Sequence, residues 1–247
     1  MVELSLVIAI MSVVIAGTLG AAAKHREDAR IKATEEKIEY IMQAIKNFVD
    51  EFGYIPCPAD PTLTFSAGDF GFADYTGTDN PLTDASTTCD TTGSGLREIA
   101  SNTVAGAIPV YTLNISPDYI FDGWYKRFTY AVDQDLTFIG SDISDMGYID
   151  PDTNGDIVIK NLGMSNNLNE KAAVIIISHG NNGHGAWRGA GGASRITIAG
   201  INDTDPDGEN SHVLSPLGFD NEFVQSINSA NTDDILEYTT KWKLNAN

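Results

Sequence analysis

From Leu4 to Ala23 the chain reads LSLVIAIMSVVIAGTLGAAA, a stretch without a single charge. A helix of about 20 residues is about 30 Å long, the thickness of a bilayer's hydrocarbon core. At Lys24 the pattern changes without a break. Residues 24–52 contain no proline or glycine and are rich in Lys, Glu, Ala and Ile. Ile31, Thr34, Ile38, Ile41, Ile45, Phe48 and Phe52 recur at steps of three and four, which makes a single helical stripe. Gly53 and then Pro56 end it. The pattern therefore predicts one long helix with two unlike halves. Residues 1–23 have no polar face and need lipid or other copies of themselves, as a membrane-crossing or filament-core half. Residues 24–52 bury one side against a globular head, and Glu35, Glu36 and Glu39 fall on the solvated side. A secretory signal peptide would explain the apolar run and could be cut near Ala21–Ala23, but it calls for basic residues ahead of that run. Here Met1, Val2 and Glu3 stand there.

Residues 53–247 read as a loop-rich β head. Tyr54-Ile55-Pro56-Cys57-Pro58-Ala59-Asp60 is too rich in proline for regular structure, and the Gly, Thr, Asp and Ser that follow to about Ser101 read as surface loop. Short β-prone runs then occur at Pro109–Leu113, Arg127–Val132, Leu136–Ile139, Ile157–Ile159, Ala173–Ser178, Arg195–Ile201 and Ile235–Trp242. A helix followed by strands is an α+β order, with a mostly antiparallel sheet expected to pack on the helix's second half.

Composition narrows the function. A hydrophobic fraction of 42% supports a true core, and 34 acidic against 15 basic residues leave a net charge of -19. Phosphate backbones repel such a surface, so nucleic-acid binding through the acidic head is excluded. Behind a membrane anchor the two cysteines, Cys57 and Cys89, are best read as one disulfide, worth roughly 3–4 kcal/mol on the chain-entropy model.

Glu3 is the telling residue, because a carboxylate at the lip of an apolar segment is costly unless it finds a partner. Met1-Val2-Glu3-Leu4-Ser5-Leu6-Val7-Ile8-Ala9-Ile10 resembles the F-T-L-I-E-L start of type IV pilins and of the pseudopilins of type II secretion, and the likeness covers roughly the first 50 residues. Asp122-Gly123-Trp124 with Arg127-Phe128-Thr129-Tyr130, and Asp233-Asp234-Ile235, resemble pseudopilin segments more weakly. In that family the glutamate is fifth in the mature chain and here it is third. Either two residues and a leader precede this segment, or processing differs. The resemblance implies a pilin-like fold, with the apolar half of the helix protruding. It further implies a homo-oligomeric helical filament, residence in the bacterial inner membrane before assembly, a pilus or secretion assembly machinery as partner, and no catalysis. Glu3 would pair with a terminal amine, and Gly17 and Gly20 would interrupt the helix within the filament. A type II secretion pseudopilin or a minor pilin is the alternative within the family. From another class comes a membrane-anchored, calcium-dependent binding module or hydrolase.

Two acidic loops carry candidate chemistry. Asp150, Asp152, Asn154 and Asp156 have the D-x-D-x-N-G-type spacing that turns alternate oxygens toward a calcium ion, and Asp203, Asp205 and Asp207 repeat it. The twelfth positions, Asn161 and Leu214, lack the bidentate glutamate. An ordinary Asp/Asn/Gly turn between strands is the alternative. Ser178-His179-Gly180-Asn181-Asn182-Gly183-His184 suggests hydrolase chemistry only superficially, since a Ser beside its own His says nothing of their geometry. It reads as a glycine-rich loop leaving a buried strand.

Overall fold

The computed structural model describes residues 2–76, 88–91, 97–100, 102–137, 155–192, 194–201, 205–211, 221–225 and 232–244. Helix α1 runs from Val2 to Phe52 and passes through Gly17 and Gly20 unbroken in the single chain. At 1.5 Å per residue it is about 77 Å long. Its two halves differ as their sequences do. Val7 and Met11 are 52% and 61% exposed, and residues 20–26 are exposed as well. At Glu27 the head reaches the helix, where Trp124 Nε1 donates to its carboxylate at 3.4 Å. Beyond that point Thr34, Ile38, Ile41, Ile45, Phe48 and Val49 are buried along one side. Lys37 anchors the same side by donating to the carbonyls of Asp118 and Phe121. Among the described residues, no helix is long and apolar enough to cross a membrane.

The head is a curled, half-barrel sheet of seven strands. They are β1 (Arg97–Ala100), β2 (Thr103–Gly106), β3 (Thr129–Asp133), β4 (Ile157–Lys160), β5 (Asn167–Ser178), β6 (Glu222–Val224) and β7 (Ile235–Thr240). Two short α-helices, α2 (Pro206–Ser211) and α3 (Lys241–Leu244), accompany them among the described residues. Strand β5 organises the sheet. Ala172 pairs with Ile157 of β4 on one edge and with Thr240 of β7 on the other. Val174 pairs with Val132 of β3 and with Thr239 of β7 in the same way. Strands β3 and β4 thus follow one another along a single edge of β5, and β7 has the opposite edge to itself. The bend between them is sealed where the backbone amide of Asp156 donates to Asp133 at 2.8 Å. Gly155 must be glycine there, because a Cβ would lie 2.0 Å from the Ala172 carbonyl oxygen.

Both faces of β5 are buried, which is why its sequence reads Ala-Ala-Val-Ile-Ile-Ile without alternation. Val174 and Ile176 join Ile38, Ile41 and Ile45 of the helix in the larger core. Ile175 and Ile177 join Ile157, Ile159, Phe223 and Leu236 in a second core on the other face. Cys57 and Cys89 are joined in a disulfide, packed against Val104.

Several expectations are corrected here. The sheet is mixed and not the antiparallel sheet of a pilin-like head, because β4 and β6 run parallel. A parallel pair needs a crossover of a dozen or more residues, and the long segment between Lys160 and Glu222, which includes β5, supplies one. Strand β6 has only three residues, too few to show a pattern. The side chain of Asn210 secures it by donating to the Val224 carbonyl at 3.0 Å and accepting from the Val224 amide at 2.8 Å, as a neighbouring strand would. Pro109–Leu113 is a turn and not a strand, closed by the Leu113 amide on the Pro109 carbonyl at 2.9 Å. Arg195–Ile201 forms only an isolated bridge at Arg195, whose guanidinium lies over the Trp187 ring. Of Leu136–Ile139, Leu136 ends a 3-10 turn, and Ile139 is outside the described residues.

Candidate metal centre

The strand β5 ends at Ser178 in a polar hub. Ser178 Oγ donates to Asp122 Oδ2 at 2.8 Å, and Asp122 Oδ1 accepts the amides of Trp124 and Lys126. This ties the hub to the helix, since Gly123 donates to Thr34 Oγ1 at 2.9 Å and its Cα lies against the Arg30 carbonyl. His179 Nε2 is 2.9 Å from Thr129 Oγ1, and its Nδ1 is 3.9 Å from Asp234 Oδ1. A Thr–His–Asp alignment of this kind resembles a catalytic relay. His179 and Asp234 are fully buried and Thr129 is nearly so.

The glycine-rich loop then does what its composition allows. Gly180 has a positive φ of 50°, and a Cβ on it would lie 2.1 Å from the Asp233 carbonyl oxygen. This contact draws the start of β7 against the end of β5. Lys126 closes the outside by donating to the carbonyls of Gly180 and Asn181, both at 2.6 Å. Asn182 links two carboxylates: its amide donates to Asp233 Oδ2 and its side chain donates to Asp207 Oδ2, both at 2.6 Å.

Asp207, Asp233 and Asp234 each present a carboxylate oxygen within 4.8 Å of the other two. Calcium–oxygen bonds of about 2.3–2.6 Å set opposite ligands up to about 5 Å apart, so one ion spans this gap. Asp207 is only 4% exposed, and its Oδ1 has no hydrogen-bond partner among the described residues. Burial pushes the Asp233 and Asp234 carboxyls above their ordinary range, and the Asp207 charge adds to the effect on both. The amide of Asn182 works against it at Asp233, as the side chain of Asn210 does at Asp234. A divalent cation among the three would favour their ionised forms. All-oxygen donors of this kind suit a hard cation.

Among the described residues singled out by spacing, only Asp207 takes part. Asp205 is exposed, and its carbonyl accepts the Glu209 amide at the start of α2. Asp203, and with it Asp150, Asp152 and Asn154, lies outside the described residues. Asp156 is exposed, and its amide caps Asp133. The helical backbone includes Glu3, whose side chain is outside the described set. The local motif missed Asp233, Asp234 and Asn182 because the centre is assembled from three separate segments. An acidic pair at the mouth of β7 and an Asn in the loop leaving β5 were the available signals. No family model, no curated protein and no solved structure matches this chain.

Proposed function

We propose that this chain is a structural subunit of an extracellular filament of the type IV pilus class, assembled by packing of its N-terminal helices and without catalytic activity. One observation carries the reading. Among the described residues, the 51-residue helix is buried against the head along its second half, while Val7, Met11 and residues 20–26 are exposed. Each large apolar side chain left in water forgoes about 1.5–3 kcal/mol of burial, so an apolar helix half is stable when neighbouring copies cover it. The resemblance at Met1–Ile10 supports the same reading, and the mixed sheet of the head plays no part in it. In this reading the unassembled subunit is held at the bacterial inner membrane and the polymer is at the cell surface. The head holds a structural calcium ion at Asp207, Asp233 and Asp234, which joins α2 to the start of β7.

Glu3 supplies the test. In a filament core its carboxylate would leave water for low dielectric, where an unpaired charge costs several kcal/mol or becomes protonated. Pairing with the α-amino group of the mature chain, its own or a neighbour's, removes that cost and fixes the axial register. Glu3→Ala and Glu3→Gln, made in the native organism, should leave the subunit folded while filaments vanish or fall sharply. Normal filament numbers in both variants would contradict the proposal.

A further inference from the structure

Beside the packed half of the helix runs a groove of about 730 Å³, open to solvent, between α1 and β7. Strand β7 hydrogen-bonds to β5, so the groove follows the outer edge of the sheet. Its floor is apolar, from Ile31, Met42 and Ile235, and its walls are acidic, from Glu35, Glu39 and Glu237. Lys32, the basic residue on its rim, lies 3.7 Å from Glu36. Burial raises the pKa of Glu237, Lys243 lowers it and the charge of Glu35, which lines the same groove, raises it further.

Higher on the same helix lies a complementary strip. Ala22, Arg26, Ala29, Arg30 and Ala33 are all exposed. At about 100° per residue they fall within one stripe about 100° wide, with Ala22, Ala29 and Ala33 alongside the two guanidinium groups. Among the described residues, Arg30 makes a long, exposed pair with Glu27 at 3.9 Å. Counted around the helix, stripe and groove are roughly 150° apart, and their centres are about nine residues apart along it. One molecule cannot bring them together.

We infer that the Ala22–Ala33 stripe of one copy docks in the α1–β7 groove of the next, with Arg26 and Arg30 against Glu35, Glu39 and Glu237. This inference rests on the filament reading and names the contact that would propagate it. Different surfaces meet on the two partners, so the contact is heterologous and leaves a free stripe and a free groove at the ends. Such contacts build open helical assemblies unless the rotation closes a ring. Alanines let the helix approach the apolar floor closely, and the arginine forks suit the carboxylates on the walls. Contacting copies would be offset by roughly 14 Å along the helix direction.

The test uses the full chain in cells that assemble it. The double variant Ala29→Cys, Glu39→Cys should give a ladder of chains cross-linked under mild oxidation, and neither single variant should extend beyond a dimer. Within one chain these positions are roughly 15 Å apart on a rigid helix, so an internal bridge is excluded. Arg26→Glu with Arg30→Glu should cut filament number by about tenfold or more, and adding Glu35→Arg with Glu39→Arg should restore it. Filaments without the ladder, or charge reversal without loss, would overturn the inference and leave the filament reading intact. A ladder from a chain that forms no filaments would uphold the contact and sink the filament reading. Cross-linking of position 39 to a different protein, with no ladder, would overturn the inference.

Discussion

Asp133 sits at the end of β3 with its carboxylate buried, accepting the amides of Asp135 at 2.9 Å and Asp156 at 2.8 Å. Burial outweighs those hydrogen bonds and pushes its pKa up to about 6. The folded value lies above the ordinary 3.8, so the fold holds a proton at pH values where the unfolded chain has lost it. The contribution of Asp133 to stability is therefore greatest below pH 4 and falls as pH rises to 6, by about 3 kcal/mol in all. Urea unfolding of the wild type and of Asp133→Asn at pH 4 and pH 7 checks this. The difference between the two proteins should shift by most of that amount in favour of the variant at pH 7, and a constant difference would refute it. At the candidate metal centre, protein stripped of metal should melt higher as calcium is added, by about 2.7 kcal/mol of stability at one hundred times the dissociation constant. Asp207→Asn should abolish the rise. Equal melting with calcium and with chelator would remove the ion from the account. This centre was only partly legible in the sequence: spacing pointed to Asp207, but Asp233 and Asp234 reach it through the close approach of Gly180 to the Asp233 carbonyl, which no local pattern encodes.

The helix has two unlike halves, and substitutions should separate them. Ile41 and Ile45 are fully buried against the sheet, so Ile41→Ala should cost about 2–5 kcal/mol in chemical unfolding. Met11→Ala, at an exposed position, should change head stability by no more than about 0.5 kcal/mol. Equal losses at the two positions would show that the first half also packs on the head. The stripe of α1 and the apolar run of β5 were legible because each is long enough for its burial pattern to repeat. Strands β1, β2 and β6 were not, since three or four residues such as Thr-Val-Ala-Gly carry no period. Pro109–Leu113 looked like a strand from its β-prone side chains, but the chain doubles back from Pro109, and Asn114 takes up a positive φ of 53°. The parallel placement of β6 depends on a side chain of α2, Asn210, and is a tertiary fact with no local trace.

At the scale of the whole molecule, a chain of net charge -19 carries an acidic head on a helix that extends past it. In the proposed filament the acidic heads repel, and association comes from the helices, where exposed apolar surface with one basic and one acidic strip supplies attraction and register. In that reading a monomer leaves the surface in water and a polymer covers it. The most direct test is electron cryo-microscopy of the purified assembled material. A helical polymer should appear, with residues 4–23 of neighbouring copies packed together at its centre and the heads outside. Single chains in detergent, with that segment surrounded by detergent alone and no polymer under any condition that preserves the fold, would contradict the account.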